Sequence, residues 1–94
     1  MKILWHRNAR TDLAELVDFI ARDNPDAAWR IRDAIEAHAD ILRRHPEAGR
    51  PGRVRGTREL VISGTPYIVG YRIAGKTITI LRVLHGAQRW PTRL

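Results

Sequence analysis

Several residue types that carry protein chemistry are absent or scarce in this chain of 94 residues. It contains no cysteine, so neither a disulfide framework nor a thiolate metal site is possible. Its only serine, Ser63, lies in a turn without the glycine-flanked motif of serine hydrolases. None of the four histidines forms the helical i, i+4 pair around a glutamate that zinc hydrolases use. The sequence therefore predicts no metal site and no cofactor.

Long apolar runs are missing as well. No stretch approaches the roughly 18 apolar residues that a membrane span needs, and the start lacks the pattern of a secretory signal. Hydrophobic residues make up 44% and charged residues 29% of the chain, which is typical of a globular protein rather than a disordered one. We therefore expect a single cytoplasmic domain over residues 1–94 that contacts no membrane.

Acidic residues are scarce in the second half of the chain. Residues 1–48 hold eight Lys/Arg and nine Asp/Glu, whereas residues 49–94 hold nine Lys/Arg and one acid, Glu59. The net charge of +7 therefore arises entirely in the second half. A basic half beside a balanced half favours an anionic partner, such as nucleic acid or an acidic peptide. The alternative is that the arginines only keep a high-pI chain soluble.

Two amphipathic helices are predicted in the first half. From Leu13 onward apolar residues recur at i, i+3, i+4 and i+7, which predicts a helix over residues 9–23 capped by Asn8. Asn24-Pro25 ends this helix and begins a second over residues 26–44. The connection is so short that the two helices form an antiparallel hairpin. The inward-facing residues predicted for the second helix are Ile31, Ala34, Ile35, Ile41 and Leu42.

The second half reads as strands joined by tight turns. Short apolar or β-branched runs predict strands over residues 60–62, 67–73 and 77–84, with Gly75 in a hairpin turn. Residues 1–5 are predicted to join the same sheet. The fold class is therefore α+β: an N-terminal strand, an antiparallel helical hairpin and a three-strand antiparallel meander. Helices over one face leave the other face to solvent, a groove or a partner.

Candidate binding residues lie in the stretch 46–58, which is predicted to be irregular, and after the last strand. The stretch carries four arginines: Arg50, Arg53, Arg55 and Arg58. Arginines beside a sheet can follow a phosphate backbone or bind carboxylates, although a solvated loop is the alternative. Beyond the last strand, Arg89 is a further candidate. Trp90 is either a structural plug under the sheet or a platform on which bases stack.

Metal-free RNA cleavage is the enzymatic alternative. It needs a proton shuttle and cations on the phosphate. His85 is the candidate proton shuttle, unless it only binds backbone at the end of its strand. Arg82 interrupts an apolar strand, so it either pairs with an acid or faces a groove. The cations that this hypothesis places on the phosphate, with a tyrosine near them, are Arg58, Arg82 and Arg89 beside Tyr67 or Tyr71.

The order of elements, with PYIVGYR followed by ILRVLH and then RW, resembles the RelE/ParE superfamily of bacterial type II toxins. The resemblance covers essentially the whole chain, including the start of the first helix at residues 8–13. It implies a small toxin encoded beside an antitoxin, whose acidic or amphipathic segment wraps and neutralises it. We expect the basic residues 50–58 and the last strand to bind that segment.

The superfamily divides by target. RelE-like members cut mRNA on the ribosome, whereas ParE-like members inhibit DNA gyrase. The nucleases usually carry an arginine where this chain has Ile68, and lysines where it has Glu59 and Val61. The resemblance therefore favours a ParE-like toxin acting on DNA gyrase. The alternatives are a metal-free mRNA interferase with Arg82 and His85 as catalytic residues, or an inactive homologue that only binds its antitoxin.

Overall fold

A computed structural model describes all residues 1–94 as two helices and one five-stranded sheet. The sheet order is β1-β5-β4-β3-β2, with β1 parallel to β5 and every other pair antiparallel. The predicted α+β class, helical hairpin and meander are confirmed, and β2 is an additional strand within the stretch predicted to be irregular. The elements are β1 (Lys2–Trp5), α1 (Arg7–Ala21), α2 (Pro25–Ile41), β2 (Arg50–Pro51), β3 (Arg58–Val61), β4 (Tyr67–Ala74) and β5 (Thr77–His85).

The helices begin where a side chain caps their first turn. The ring of His6, not Asn8, caps α1: its Nδ1 accepts a hydrogen bond from the Asn8 amide at 3.0 Å. Asn24 caps α2 as predicted, because its Oδ1 accepts from the Ala27 amide at 3.1 Å and Pro25 occupies the first helical position. Neither helix is long and apolar enough to cross a membrane.

The main core lies between the two helices and one face of the sheet. Tyr71 and Ile35 are its largest fully buried side chains, and both are 0% exposed. Ile41, predicted to face inward, is instead 43% exposed, because α2 ends there and the chain turns away. The buried members of this core are Ala9, Ile35, Ala39, Leu42, Ile62, Val69, Tyr71, Ile78, Ile80 and Val83.

The opposite face of the sheet is covered in part by residues 86–94, which we call the C-terminal tail. Side chains alternate along β4, so Val69 and Tyr71 face the helices while Ile68 and Gly70 face the tail. A Cβ added to Gly70 would lie 2.8 Å from Cδ1 of Leu94 and 3.7 Å from the ring of Trp90. The missing side chain of Gly70 therefore lets the tail lie directly on the strand.

Candidate functional site

Arg82 lies where the sheet lacks a strand partner, and it is held there by an acid. β1 pairs only with Thr77 to Ile80 of β5, so the rest of β5 has a free edge. Asp12 of α1 occupies that edge, and its carboxylate accepts from Arg82 Nε at 2.7 Å, from Arg82 Nη2 at 3.0 Å and from the Val83 amide at 2.9 Å. Of the two expectations for Arg82, pairing with an acid is therefore met.

A cleft of about 510 Å³ opens beside this ion pair, and we call it the His85 cleft. Its lining includes both Arg82 and His85, so the structure brings the two candidate catalytic residues together. Three carboxylates also line it: Asp12, Glu15 and Asp18. The only other cation in the cleft, Arg22, lies 3.8 Å from Asp18. Both cations in the His85 cleft therefore already have anionic partners.

The ring of His85 is exposed and is oriented by its neighbours. Its Nδ1 accepts from the Ala87 amide at 3.1 Å, which leaves Nε2 free for another partner. The ring of Tyr67 meets it edge to face, with centroids 5.7 Å apart. Burial raises the pKa of the Tyr67 hydroxyl above its ordinary value. His85 thus has both the backbone contact of the structural alternative and an accessible nitrogen.

The four arginines of the 46–58 stretch have different environments. Arg50 and Arg53 lie 3.2 and 3.5 Å from Oε1 of Glu59, which is only 2% exposed. Oε2 of that carboxylate accepts from the Arg53 amide at 2.7 Å. Arg58 donates to the Gly49 carbonyl at 2.7 Å. Only Arg55 is exposed without an ion pair or side-chain hydrogen bond, so the stretch is largely organised around one buried carboxylate.

Trp90 has a structural environment. It is partly buried over Gly70, and the guanidinium of Arg53 lies 4.2 Å from its ring centroid. Its Nε1 is buried without a hydrogen-bond partner. An indole held between a strand and a cation is a poor stacking platform for bases. The environment of Trp90 therefore favours a structural role. Arg89, the residue before it, is exposed.

The candidate residues therefore fall into two separate groups. Arg82 and His85 share the His85 cleft, whereas Arg53, Glu59 and Trp90 form a chain of contacts on the tail side of the sheet. Arg58 and Arg89 do not line the cleft, and Tyr71 is buried in the core, so the predicted phosphate-binding set is not assembled in one place. No group of three or more His, Cys, Asp or Glu side chains is placed to hold a metal ion.

Sequence reasoning did not identify the two acids that organise these groups. The signal for Asp12 was an arginine inside an apolar strand, which calls for an acid elsewhere in the chain. The signal for Glu59 was its position as the only acid in the basic half. Neither signal names the partner, because one pair joins residues 70 positions apart and the other residues 9 positions apart.

An apolar groove of about 950 Å³ runs between β1, α1 and α2. The most exposed large apolar residue of its lining is Leu4, at 44%. Charged residues of both signs line it as well, including Arg10 and Glu36. Its apolar lining residues are Ile3, Leu4, Trp5, Leu13, Ala14, Val17 and Ala21. We call this surface the helix groove; it lies beside the helices, away from the tail.

Comparisons with known proteins agree on a toxin of the RelE/ParE superfamily. The family described as ParE toxin of type II toxin-antitoxin system, parDE, matches residues 3–90. The chain is 43% identical over 90 residues to Y4kP, a protein of Sinorhizobium fredii named as a toxin, covering 96% of this chain and 93% of Y4kP.

Two solved structures are similar in fold and sequence. One is from the chromosomal ParDE system of P. aeruginosa, with a TM-score of 0.83 and 31% identity, covering 90% of this chain and 95% of that one. The other is from the toxin-antitoxin complex RelBE2 of Mycobacterium tuberculosis, with a TM-score of 0.68 and 33% identity, covering 89% of this chain and 95% of that one.

Proposed function

Because the chain belongs to the ParE toxin family of type II toxin-antitoxin systems, we propose that it stops bacterial growth by inhibiting DNA gyrase. We also propose that a cognate antitoxin neutralises it by binding the helix groove. The observation that carries the choice of target is the charge of the His85 cleft, where carboxylates surround the residues that a nuclease would use.

In the His85 cleft, the arginine that a nuclease would use is already held by an acid. A cleavage transition state gathers negative charge on the phosphate, and cations aimed at that charge supply much of the rate. Two of the three guanidinium nitrogens of Arg82, Nε and Nη2, donate to Asp12, and that hydrogen bonding outweighs burial and raises the pKa of Arg82. Glu15 and Asp18 add further repulsion for a phosphate. This supports a toxin that acts by binding its target.

The mRNA interferase stays the second candidate for one reason. Arg82 and the accessible Nε2 of His85 line the same cleft, and a proton shuttle beside an arginine is the minimum for metal-free cleavage. An activating rearrangement would have to release Arg82 from Asp12.

The helix groove suits an amphipathic helix of the antitoxin. Its lining is mostly apolar and also carries cations at Arg10 and Arg32 and acids at Asp18 and Glu36. Such a groove accepts the apolar face of a helix and pairs with its polar flanks. A solved neighbour is described as a toxin-antitoxin complex, which supports an antitoxin as the occupant. The expectation that the antitoxin binds residues 50–58 stays a prediction.

The target is tested by inducible expression in a bacterial host, with chromosomal DNA breaks and transcript integrity read from the same culture. Gyrase inhibition predicts DNA breaks while transcripts stay intact, and co-expression of the antitoxin suppresses both the breaks and the growth arrest. Rapid cleavage of translated transcripts while the DNA stays intact would identify mRNA, and not gyrase, as the target. Unaffected growth would instead support the third alternative, an inactive homologue that only binds its antitoxin.

The proposed antitoxin site is tested by replacing each of two exposed alanines with glutamate in separate variants. Ala14→Glu places a carboxylate in the helix groove, whereas Ala37→Glu places it on an exposed part of α2 outside the groove. We expect Ala14→Glu to weaken antitoxin binding by about 2 kcal/mol or more, as for a central interface position, and Ala37→Glu to change it little. Titration calorimetry measures both, and equal affinities would place the antitoxin elsewhere.

A further inference from the structure

The basic half keeps a large uncompensated charge after its internal ion pairs are formed. Of its nine cations, Arg50, Arg53 and Arg82 lie within 4 Å of a carboxylate. Its only acid, Glu59, is buried and shared by the first two. No carboxylate lies within ion-pair distance of the other cations of this half: Arg55, Arg58, Arg72, Lys76, Arg89 and Arg93.

Three of these free cations lie on the side of the sheet that the tail covers. Arg72 follows Gly70 by two residues on β4, so it projects from the same face and is exposed. Leu94 and Trp90 lie over Gly70, which brings their exposed neighbours Arg93 and Arg89 to that face. We call Arg72, Arg89 and Arg93 the tail-face arginines.

The tail itself adds no large exposed apolar side chain to its face of the sheet. The large exposed apolar side chains of the whole molecule are Met1, Leu4, Phe19, Trp29, Ile41 and Val61. Leu4 and Val61 project from the sheet face that carries Arg72, because they pair with Thr79 and Ile68, but neither belongs to the tail. Protein interfaces draw most of their affinity from buried apolar and aromatic anchors, whereas binding to a phosphate backbone is electrostatic and needs none. The exposed side chains of the tail itself are arginines and small or polar residues, which suit a polyanion.

We infer that the tail-face arginines bind the sugar-phosphate backbone of nucleic acid. Guanidinium groups pair with phosphate oxygens in a forked geometry, and exposed arginines without carboxylate partners lose no internal pair on binding. The inference goes beyond the proposed function, which requires only contacts with gyrase and the antitoxin. None of the tail-face arginines lines the helix groove, so the antitoxin and the nucleic acid occupy separate surfaces.

Fluorescence anisotropy with the purified toxin tests the inference. The probes are a labelled 20-base-pair DNA duplex and a labelled 20-nucleotide single-stranded RNA of unrelated sequence, titrated over a series of KCl concentrations. The test variant carries Arg72→Gln, Arg89→Gln and Arg93→Gln. The matched control carries Arg7→Gln, Arg30→Gln and Arg44→Gln, which removes the same charge from exposed helix-side positions without ion pairs.

The tail-face variant is expected to bind at least on the order of tenfold more weakly at low salt, with a salt-dependence slope shallower by up to about 3. The control keeps the slope of the unmodified toxin. Tighter binding of the duplex identifies DNA as the preferred nucleic acid, and tighter binding of the single strand identifies RNA. If both variants lost the same affinity for nucleic acid, net charge alone would explain the binding, and the inference would be overturned. So would a tail-face variant that binds nucleic acid normally but has lost its antitoxin affinity.

Discussion

Asp12 and Arg82, which are 70 positions apart in the chain, form an ion pair with two hydrogen bonds of 2.7 and 3.0 Å. The same carboxylate accepts the amide of Val83 at 2.9 Å, where β5 has no neighbouring strand. One acid therefore closes the free edge of the sheet, fastens α1 to β5 and neutralises an arginine beside the His85 cleft. The stability of the fold and the chemistry open to the cleft both depend on this contact.

Replacing Asp12 is expected to destabilise the protein. The side chains of Asp12 and Arg82 are only 13% and 24% exposed, so Asp12→Ala leaves a half-buried cation and a free amide. We expect a loss of about 2–3 kcal/mol in the free energy of unfolding, measured by urea denaturation. Adding Arg82→Met should recover part of the loss, because the uncompensated charge is then removed.

The control for this substitution is the exposed pair on the same helix. Asp18 and Arg22 are 79% and 72% exposed and 3.8 Å apart, so Asp18→Ala should cost no more than about 0.5 kcal/mol. Equal losses in the two variants would mean that the Asp12–Arg82 pair contributes no more than a surface contact.

Tyr71 should contribute a part of the free energy of unfolding that is lost at alkaline pH. Burial raises its pKa above the ordinary 10.0. The hydroxyl donates to the Pro46 carbonyl at 2.7 Å and accepts from the Gly49 amide at 2.9 Å. We expect Tyr71→Phe to lower the free energy of unfolding by about 1–3 kcal/mol at pH 8, because two backbone groups lose a buried partner.

The sign of the pH effect follows from the direction of the shift. Because the pKa of Tyr71 is raised in the folded state, its contribution is fully present below the unfolded-state pKa near 10.0. It is lost as the pH rises through the higher folded-state pKa. The stability difference between the unmodified protein and Tyr71→Phe should therefore shrink in urea titrations above pH 10. A difference that stays constant to pH 11 would contradict this.

Two glycines that are both buried should respond very differently to alanine. A Cβ at Gly49 would lie 2.7 Å from Cε1 of Tyr71 and 2.8 Å from the Glu59 carbonyl oxygen, and that backbone atom cannot move aside. We expect Gly49→Ala to cost about 2 kcal/mol or more in thermal denaturation. At Gly70 the close atom is the flexible Leu94 side chain, so Gly70→Ala should cost less and loosen mainly the tail.

Local patterns predicted most of the fold. The apolar spacing from Leu13 to Ile20 and the β-branched runs of β4 and β5 are properties of neighbouring residues, and all three elements formed. The cap of α1 was misplaced because the strand β1 leads almost directly into the helix. The His6 amide binds the Ile80 carbonyl at 2.8 Å, so His6 takes the capping position before Asn8 is reached.

The candidate site depended on long-range pairings that local patterns do not encode. Four arginines in the 46–58 stretch indicated an open basic surface, yet Glu59, buried beneath them, pairs with Arg50 and Arg53. Whether a cation is available to a ligand depends on which acid lies across the fold. Arg72 and Arg93, which were not among the predicted binding residues, are free because neither has an acid as a neighbour.

His85→Ala separates the two candidate targets of the toxin. The ring is exposed, and its loss removes only the contact with the Ala87 amide and the edge contact with Tyr67. We therefore expect little change in thermal stability. If the toxin acts on gyrase by binding, growth arrest and DNA breaks should persist, because no proton has to be moved in the His85 cleft. Arrest that disappears in a stably folded His85→Ala protein would instead assign the proton shuttle of an mRNA interferase to His85.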